Sequence, residues 1–239
     1  MASELILFQV ASIVALVGMG LGWRGVMTRY SGFYDLPTAW SMMFWGILLG
    51  GFYGKLADEF ILKPLISEDG FPFTNFVVCL VLSIVVHLIL RKKRVRRTGS
   101  QPTTGWALGL SVGGMIGMYT IYRVIELTGI TFTSVATIAL IAIISPRGHA
   151  LIFCRHGYDM LLDKRWSSTL KTFVLSTLLL VGIYAAIFDP KTWIFIIPPL
   201  LLAERSAQKW VWAAVPRPAR RRLRRIWSDA LRNNSREEE

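Results

Sequence analysis

The stretch Gly105–Glu126, GWALGLSVGGMIGMYTIYRVIE, decides how this chain folds. Its ladder of Gly105, Gly109, Gly113 and Gly117 keeps a strict four-residue step. On a helix that step places all four in one narrow stripe, one turn above the next. Glycine inside a water-exposed helix costs about 1 kcal/mol against alanine, so four in register make a poor soluble helix. In lipid the sense changes, because helix association there depends on close backbone approach. The stretch therefore predicts a membrane helix against which other helices close. Gly46, Gly50 and Gly54 form a second ladder at the same step. The plainer use of both is packing within one subunit, and the sharper one is a seam between identical copies or a pore wall.

Outward from this stretch the chain is built of apolar blocks. It has 239 residues, 53% of them hydrophobic, with a mean hydropathy of +0.47, above the roughly 45–50% apolar content of soluble domains. The blocks predict an all-α integral membrane protein, a bundle of about seven transmembrane helices over residues 1–215. The expected spans are 5–23, 38–54, 72–90, 105–127, 130–145, 172–188 and 193–210. Thr128-Gly129 leaves so short a connection that the fourth and fifth should form an antiparallel hairpin. Pro146 is expected to close the fifth. Lys55–Gly70 reads as an acidic connection, punctuated by Pro64 and Asp69-Gly70. Thr98–Thr104 reads as a flexible polar linker. Arg147–Lys171 reads as an amphipathic segment on the membrane surface. The last run, Trp193–Ala203, carries Pro198-Pro199 at its centre and is either a broken helix reaching Trp210 or a re-entrant segment.

The net charge is +12. It sits between the apolar blocks, which points to loops on one side of a membrane and away from a nucleic-acid surface. With Arg91–Arg97 in the cytoplasm and seven crossings, the inner segments are Arg24–Pro37, Arg91–Thr104, Arg147–Lys171 and the tail. They carry two, six, five and, with Arg205 and Lys209 at the inner end of the last span counted with the tail, ten of the 27 lysines and arginines. The expectation is therefore an outer N-terminus and an inner C-terminus. Residues 216–239 are expected to form a basic amphipathic cytoplasmic tail, with Leu223, Ile226, Trp227, Ala230 and Leu231 along one apolar side. Anionic lipid headgroups are the expected partner, with other membrane subunits or a second copy possible and no nucleic acid. No cleavable signal peptide is expected, since MASE lacks a positive n-region. Cys79 and Cys154 are too few for a disulfide framework.

Four groups of residues invite a functional reading. Arg123 and Glu126, three apart near the end of the fourth helix, form an intramembrane polar pair: a structural ion pair near the outer face, or part of a solute path. His87 stands alone among leucines and valines, where a neighbouring helix or a water normally satisfies it. The densest chemistry is His149, Cys154, His156, Asp159 and Asp163. Offsets of three and seven put His156, Asp159 and Asp163 on one side of a helix, and a carboxylate-oriented histidine suits a general base. The plainer reading is a solvated interfacial helix with internal pairs such as Arg155 with Asp159. Gly157 weakens the shared face. No metal spacing, HExxH, GxSxG or P-loop occurs, so no metal or cofactor is expected. The leading expectation is a non-catalytic polytopic membrane protein, a small transporter or channel subunit or a scaffold. The alternative is a membrane-embedded enzyme acting on a lipid or isoprenoid phosphate at the cytoplasmic face.

Overall fold

The structure is a computed structural model that describes residues 2–67 and 73–237. These residues are almost all helical and include no strand. The helices are α1 (Ala2–Trp23), α2 (Val26–Arg29), α3 (Leu36–Ala57), α4 (Lys63–Ile66), α5 (Thr74–Leu90), α6 (Lys93–Thr98), α7 (Gln101–Thr128), α8 (Phe132–Leu161), α9 (Arg165–Phe188), α10 (Trp193–Ala214) and α11 (Arg217–Glu237). A π-helical turn, Asp58–Leu62, joins α3 to α4, and a 3-10 turn, Pro190–Thr192, precedes α10. The Asp69-Gly70 turn, Glu68 and the Pro72 start of the third block lie outside the described residues.

The glycine-ladder helix is the axis of the bundle. Of its apolar stretch 78% is buried, against 28% for the N-terminal helix. Three helices close on α7 along different faces. α8 runs antiparallel to it: Gly105, Gly109 and Gly113 lie against the carbonyl oxygens of Phe153, His149 and Ser145, where a Cβ would collide with backbone. Gly157 returns the contact against the Gln101 carbonyl. Ser145 Oγ donates to Gly113 O at 2.7 Å across the same seam.

Gly117 departs from the ladder's expected role. It is buried on the same stripe, but a Cβ there would meet the Ser145 side chain at 3.4 Å and Ile141 Cγ2 at 3.8 Å, ordinary van der Waals contacts. Below Gly113 the side chains of Ser145 and Ile141 stand between the two backbones, so the close approach that needs glycine involves three glycines of the ladder and not four.

α3 runs parallel to α7, with Gly46 on Leu108 and Ser111, Gly50 on Val112, and Gly54 on Met115 and Tyr119. α1 is antiparallel, with Gly22 against Leu110, Met19 on Gly114 and Ser12 beside Met118. Both ladders are thus taken up inside one chain.

The α7–α8 hairpin turns at Gly129, whose φ of +64° suits a residue without a Cβ. Thr131 then caps α8, its Oγ1 accepting from the Ser134 amide at 3.2 Å.

The principal departure from the sequence expectation lies at Pro146. The helix does not end there: α8 continues through it to Leu161, so Arg147–Leu161 is a packed helix and not a surface connection. Proline removes the N–H that would reach the Ala142 carbonyl, and that carbonyl lies against Gly18 of α1. Neighbouring helices tolerate proline in this way when they cover the freed backbone. The connection shrinks to Leu162–Lys164, and α9 begins at Arg165, seven residues before the expected 172. Pro198-Pro199 likewise sit within one continuous helix, α10. Lys55–Ile66 is helical and Pro64 falls in the first turn of α4. Thr98–Thr104 is no flexible linker: Gly99 turns in the left-handed region, α7 starts at Gln101, and Gln101–Thr104 are buried.

Four helical stretches are long and apolar enough to cross a membrane: Glu4–Arg29, Gln101–Thr128, Phe132–Leu161 and Arg165–Phe188. α5 is apolar but shorter. The outside of the bundle carries large apolar side chains in quantity, among them Ile13 and Val17 of α1, Phe44 and Phe52 of α3, Val77 and Leu88 of α5, and Phe195 and Leu202 of α10. Such a surface needs a non-aqueous partner.

Candidate functional site

Two polar clusters sit at opposite ends of the bundle. The first is built by the end of α3 and the end of α7. Asp58 follows Gly46, Gly50 and Gly54 at the same four-residue step, so it lies on the stripe that faces α7. It opens the π turn and is only 3% exposed. Arg123 meets it with a two-pronged fork, Nε to Oδ1 at 2.7 Å and Nη2 to Oδ2 at 2.9 Å. The remaining Arg123 nitrogen, Nη1, donates to Glu126. The Arg123–Glu126 pair is therefore two-thirds of a triad, and its buried partner is the residue that sequence reasoning missed. The continuing ladder step was the signal for it. Glu59, the next residue, points outward between Lys63 and Lys55 at 2.7 and 3.3 Å.

The second cluster joins α5, α8 and the first turns of α9. His87 Nδ1 lies 3.2 Å from His156 Nε2 and 3.0 Å from Thr169 Oγ1. His156 Nδ1 lies 2.7 Å from Thr172 Oγ1. Ser168 Oγ is 3.4 Å from His156 Nε2 but spends its proton on the Arg165 carbonyl at 2.6 Å. Thr169 also donates to that carbonyl, at 3.2 Å. One proton assignment satisfies the set: His87 Nδ1–H donates to His156 and Thr169, and His156 Nδ1–H donates to Thr172. Both imidazoles are then neutral and hold α5, α8 and α9 together. His87 is thus satisfied by a neighbouring helix.

The other members of the 149–163 stretch disperse. His149 is buried in the α7–α8 seam, where its Nδ1 donates to the Ser145 carbonyl at 2.8 Å. Cys154 is a buried free thiol in α8, not a loop cysteine. Asp159 pairs with Lys171 of α9 at 3.1 Å, neither with His156 nor with Arg155. Asp163 lies beyond the end of α8 with φ +58° and pairs with Arg165 at 3.3 Å, so the expected shared face of His156, Asp159 and Asp163 does not form. Arg147, also within α8, pairs with Glu204 of α10. Among the described residues no three His, Cys, Asp or Glu side chains converge as metal ligands do.

What the fold defines is a class: an all-helical protein with four helices long and apolar enough to cross a membrane. No family model, curated protein or solved structure matches the chain.

Proposed function

We propose that this protein is a non-catalytic, seven-crossing membrane protein, a scaffold or a small transport subunit. The observation that carries the reading is the fate of the reactive side chains: His149, His156 and Asp159 are buried, His149 bonded to the Ser145 carbonyl of its own helix and His156 and Asp159 bound to α9, which leaves none of the three as an oriented base facing a substrate. Seven crossings are supported by the relative directions of the helices. α3 lies parallel to α7, and α1 and α8 lie antiparallel to it, as serial crossings require. α3 and α10, 22 residues each, and α5, 17 residues, also fit the length of a span. The distribution of lysine and arginine supports an inner C-terminus. In this orientation the triad of Asp58 lies at the outer face and the histidine cluster at the inner face.

The tail supports anionic headgroups as the partner. α11 tucks Leu223 into the core and stacks Trp227 on Trp212, ring centroids 5.8 Å apart, while Arg217, Arg221, Arg222 and Arg225 line a basic concavity. Such an arginine face suits the inner leaflet.

Total lipid extracts test the non-catalytic reading. Cells that overproduce the chain and cells that lack it are expected to show the same lipid species. A species that appears with the wild-type chain and disappears with well-folded His156→Gln would overturn the reading in favour of the enzyme.

A further inference from the structure

α8, α9 and α10 do not close on one another along their whole length. A groove of about 450 Å³ runs between them, within the size range of small-ligand pockets. Gly148 and Gly182 form part of its lining, and at each the missing side chain leaves room for Leu179 and Ile196 of the facing helices. Leu178 and Phe195, 62% and 78% exposed, belong to its walls, so the groove opens sideways, toward the apolar outside of the bundle.

Apart from Thr192, just before α10, the lining is apolar except near one end, where Arg155 of α8 and Trp210 of α10 stand. Arg155 is partly buried, and among the described residues it makes no hydrogen bond or ion pair. Its neighbour Arg147 on the same helix is neutralised by Glu204. A guanidinium held at the mouth of an apolar slot lacks a counter-ion, and an anion with a hydrocarbon chain supplies what both parts need. A tryptophan at the same level is the usual neighbour of a headgroup. A helix, 10–12 Å across with its side chains, is too thick to enter a groove of this volume.

We infer that the groove is a lipid site: it takes one acyl chain of an anionic phospholipid, whose phosphate rests on Arg155. The inference requires α8–α10 to lie in a bilayer, as proposed above, but not a particular orientation. It does not depend on whether the protein is a scaffold or a transport subunit.

Native mass spectrometry of the detergent-purified full chain tests it, with dioleoyl phosphatidic acid as the probe and dioleoylglycerol, which lacks the phosphate, as the control. One phosphatidic acid per 27.0-kDa chain is expected, with dioleoylglycerol bound at least about tenfold more weakly. Arg155→Gln is expected to weaken phosphatidic acid about tenfold, while Arg205→Gln, at an exposed arginine of α10, leaves it unchanged. Ala203→Phe, which fills the groove, is expected to abolish the adduct. Leu178→Trp repeats that test at an exposed wall position if Ala203→Phe fails to fold. Equal binding by Arg155→Gln and Arg205→Gln would overturn the site, as would a dimer that the groove-filling variants dissociate. Cysteine labelling of the connecting turns, described below, fails separately if the helices do not cross the membrane.

Discussion

The two ends of this bundle are held by opposite means. At one, Arg123 forks onto a buried carboxylate and reaches a second, exposed one. At the other, two neutral imidazoles and the hydroxyls of Thr169 and Thr172 share hydrogen bonds, with the Lys171–Asp159 pair beside them. A buried charge left alone is expensive, whereas a buried neutral donor left alone costs about 1–3 kcal/mol. The charged end is therefore the stiffer latch and the less tolerant of substitution. The neutral end joins three helices through groups that accept replacement by another hydrogen-bonding side chain.

The largest expected effect lies between the ends, in the seam that joins them. Gly109→Leu drives a side chain into the His149 backbone and is expected to abolish recovery of folded protein from detergent. Gly20→Leu, with nothing within 4 Å of its Cβ, is expected to behave as wild type. Size-exclusion yield and thermal unfolding of both variants read the result. Equal behaviour would remove the ladder from the account.

Next comes the charged latch. Arg123→Met takes the fork from Asp58, leaves it only the exposed Lys55 ammonium at 3.9 Å, and is expected to cost about 3–5 kcal/mol. The double variant Arg123→Met/Asp58→Leu should regain much of that loss, because the poorly compensated buried charge is gone. If the double variant is no better than the single one, the pair is not what holds this end.

The histidine end should yield less. His156→Ala removes a buried ring and the partner of Thr172, and about 2–3 kcal/mol is expected. His156→Gln should recover part of it, since an amide offers both a donor and an acceptor. A larger loss from His156→Ala than from Arg123→Met would reverse the contrast between the two ends.

The smallest effect is expected at Glu59, one residue from Asp58. Lys63 and Lys55 hold its carboxyl below the usual range. A lowered carboxylate pKa contributes stability above the unfolded value and loses it as pH falls through the folded one. The group is exposed, so salt screens it. Glu59→Gln should leave the thermal midpoint at pH 7 unchanged within error in high salt, and wild type and variant should converge further as the buffer is acidified below pH 4. A pH-dependent difference that persists in high salt would place Glu59 in the latch with Asp58.

The helices themselves were legible because their signal is local. The four-residue glycine step identified α7, and Thr128-Gly129 identified the α7–α8 hairpin. The step alone could not say where close approach ends, since Gly117 keeps the spacing while Ser145 and Ile141 fill the space beside it. Asp58 was legible too, as the next step after Gly54, but its position in an acidic stretch read as a loop hid it. Pro146 misled for a physical reason: proline's rule assumes that a freed carbonyl must find water, whereas here the Ala142 carbonyl is covered by α1. Once α8 was cut short, His149, Cys154 and His156 appeared solvated although the fold buries all three. The meeting of His87 with His156 joins positions 69 residues apart, and no spacing within either helix announces it.

The central claim is that consecutive long helices cross a membrane in alternation, with α7 at their axis. Impermeant thiol labelling in a Cys79→Ala/Cys154→Ala background tests it most directly, with single cysteines at Ser67, Lys93, Ser167 and Asp189, all exposed. On intact cells Ser67→Cys and Asp189→Cys are expected to react. Lys93→Cys and Ser167→Cys are expected to react only after the membrane is opened. Labelling of Ser67→Cys and Lys93→Cys from the same side would contradict the alternation.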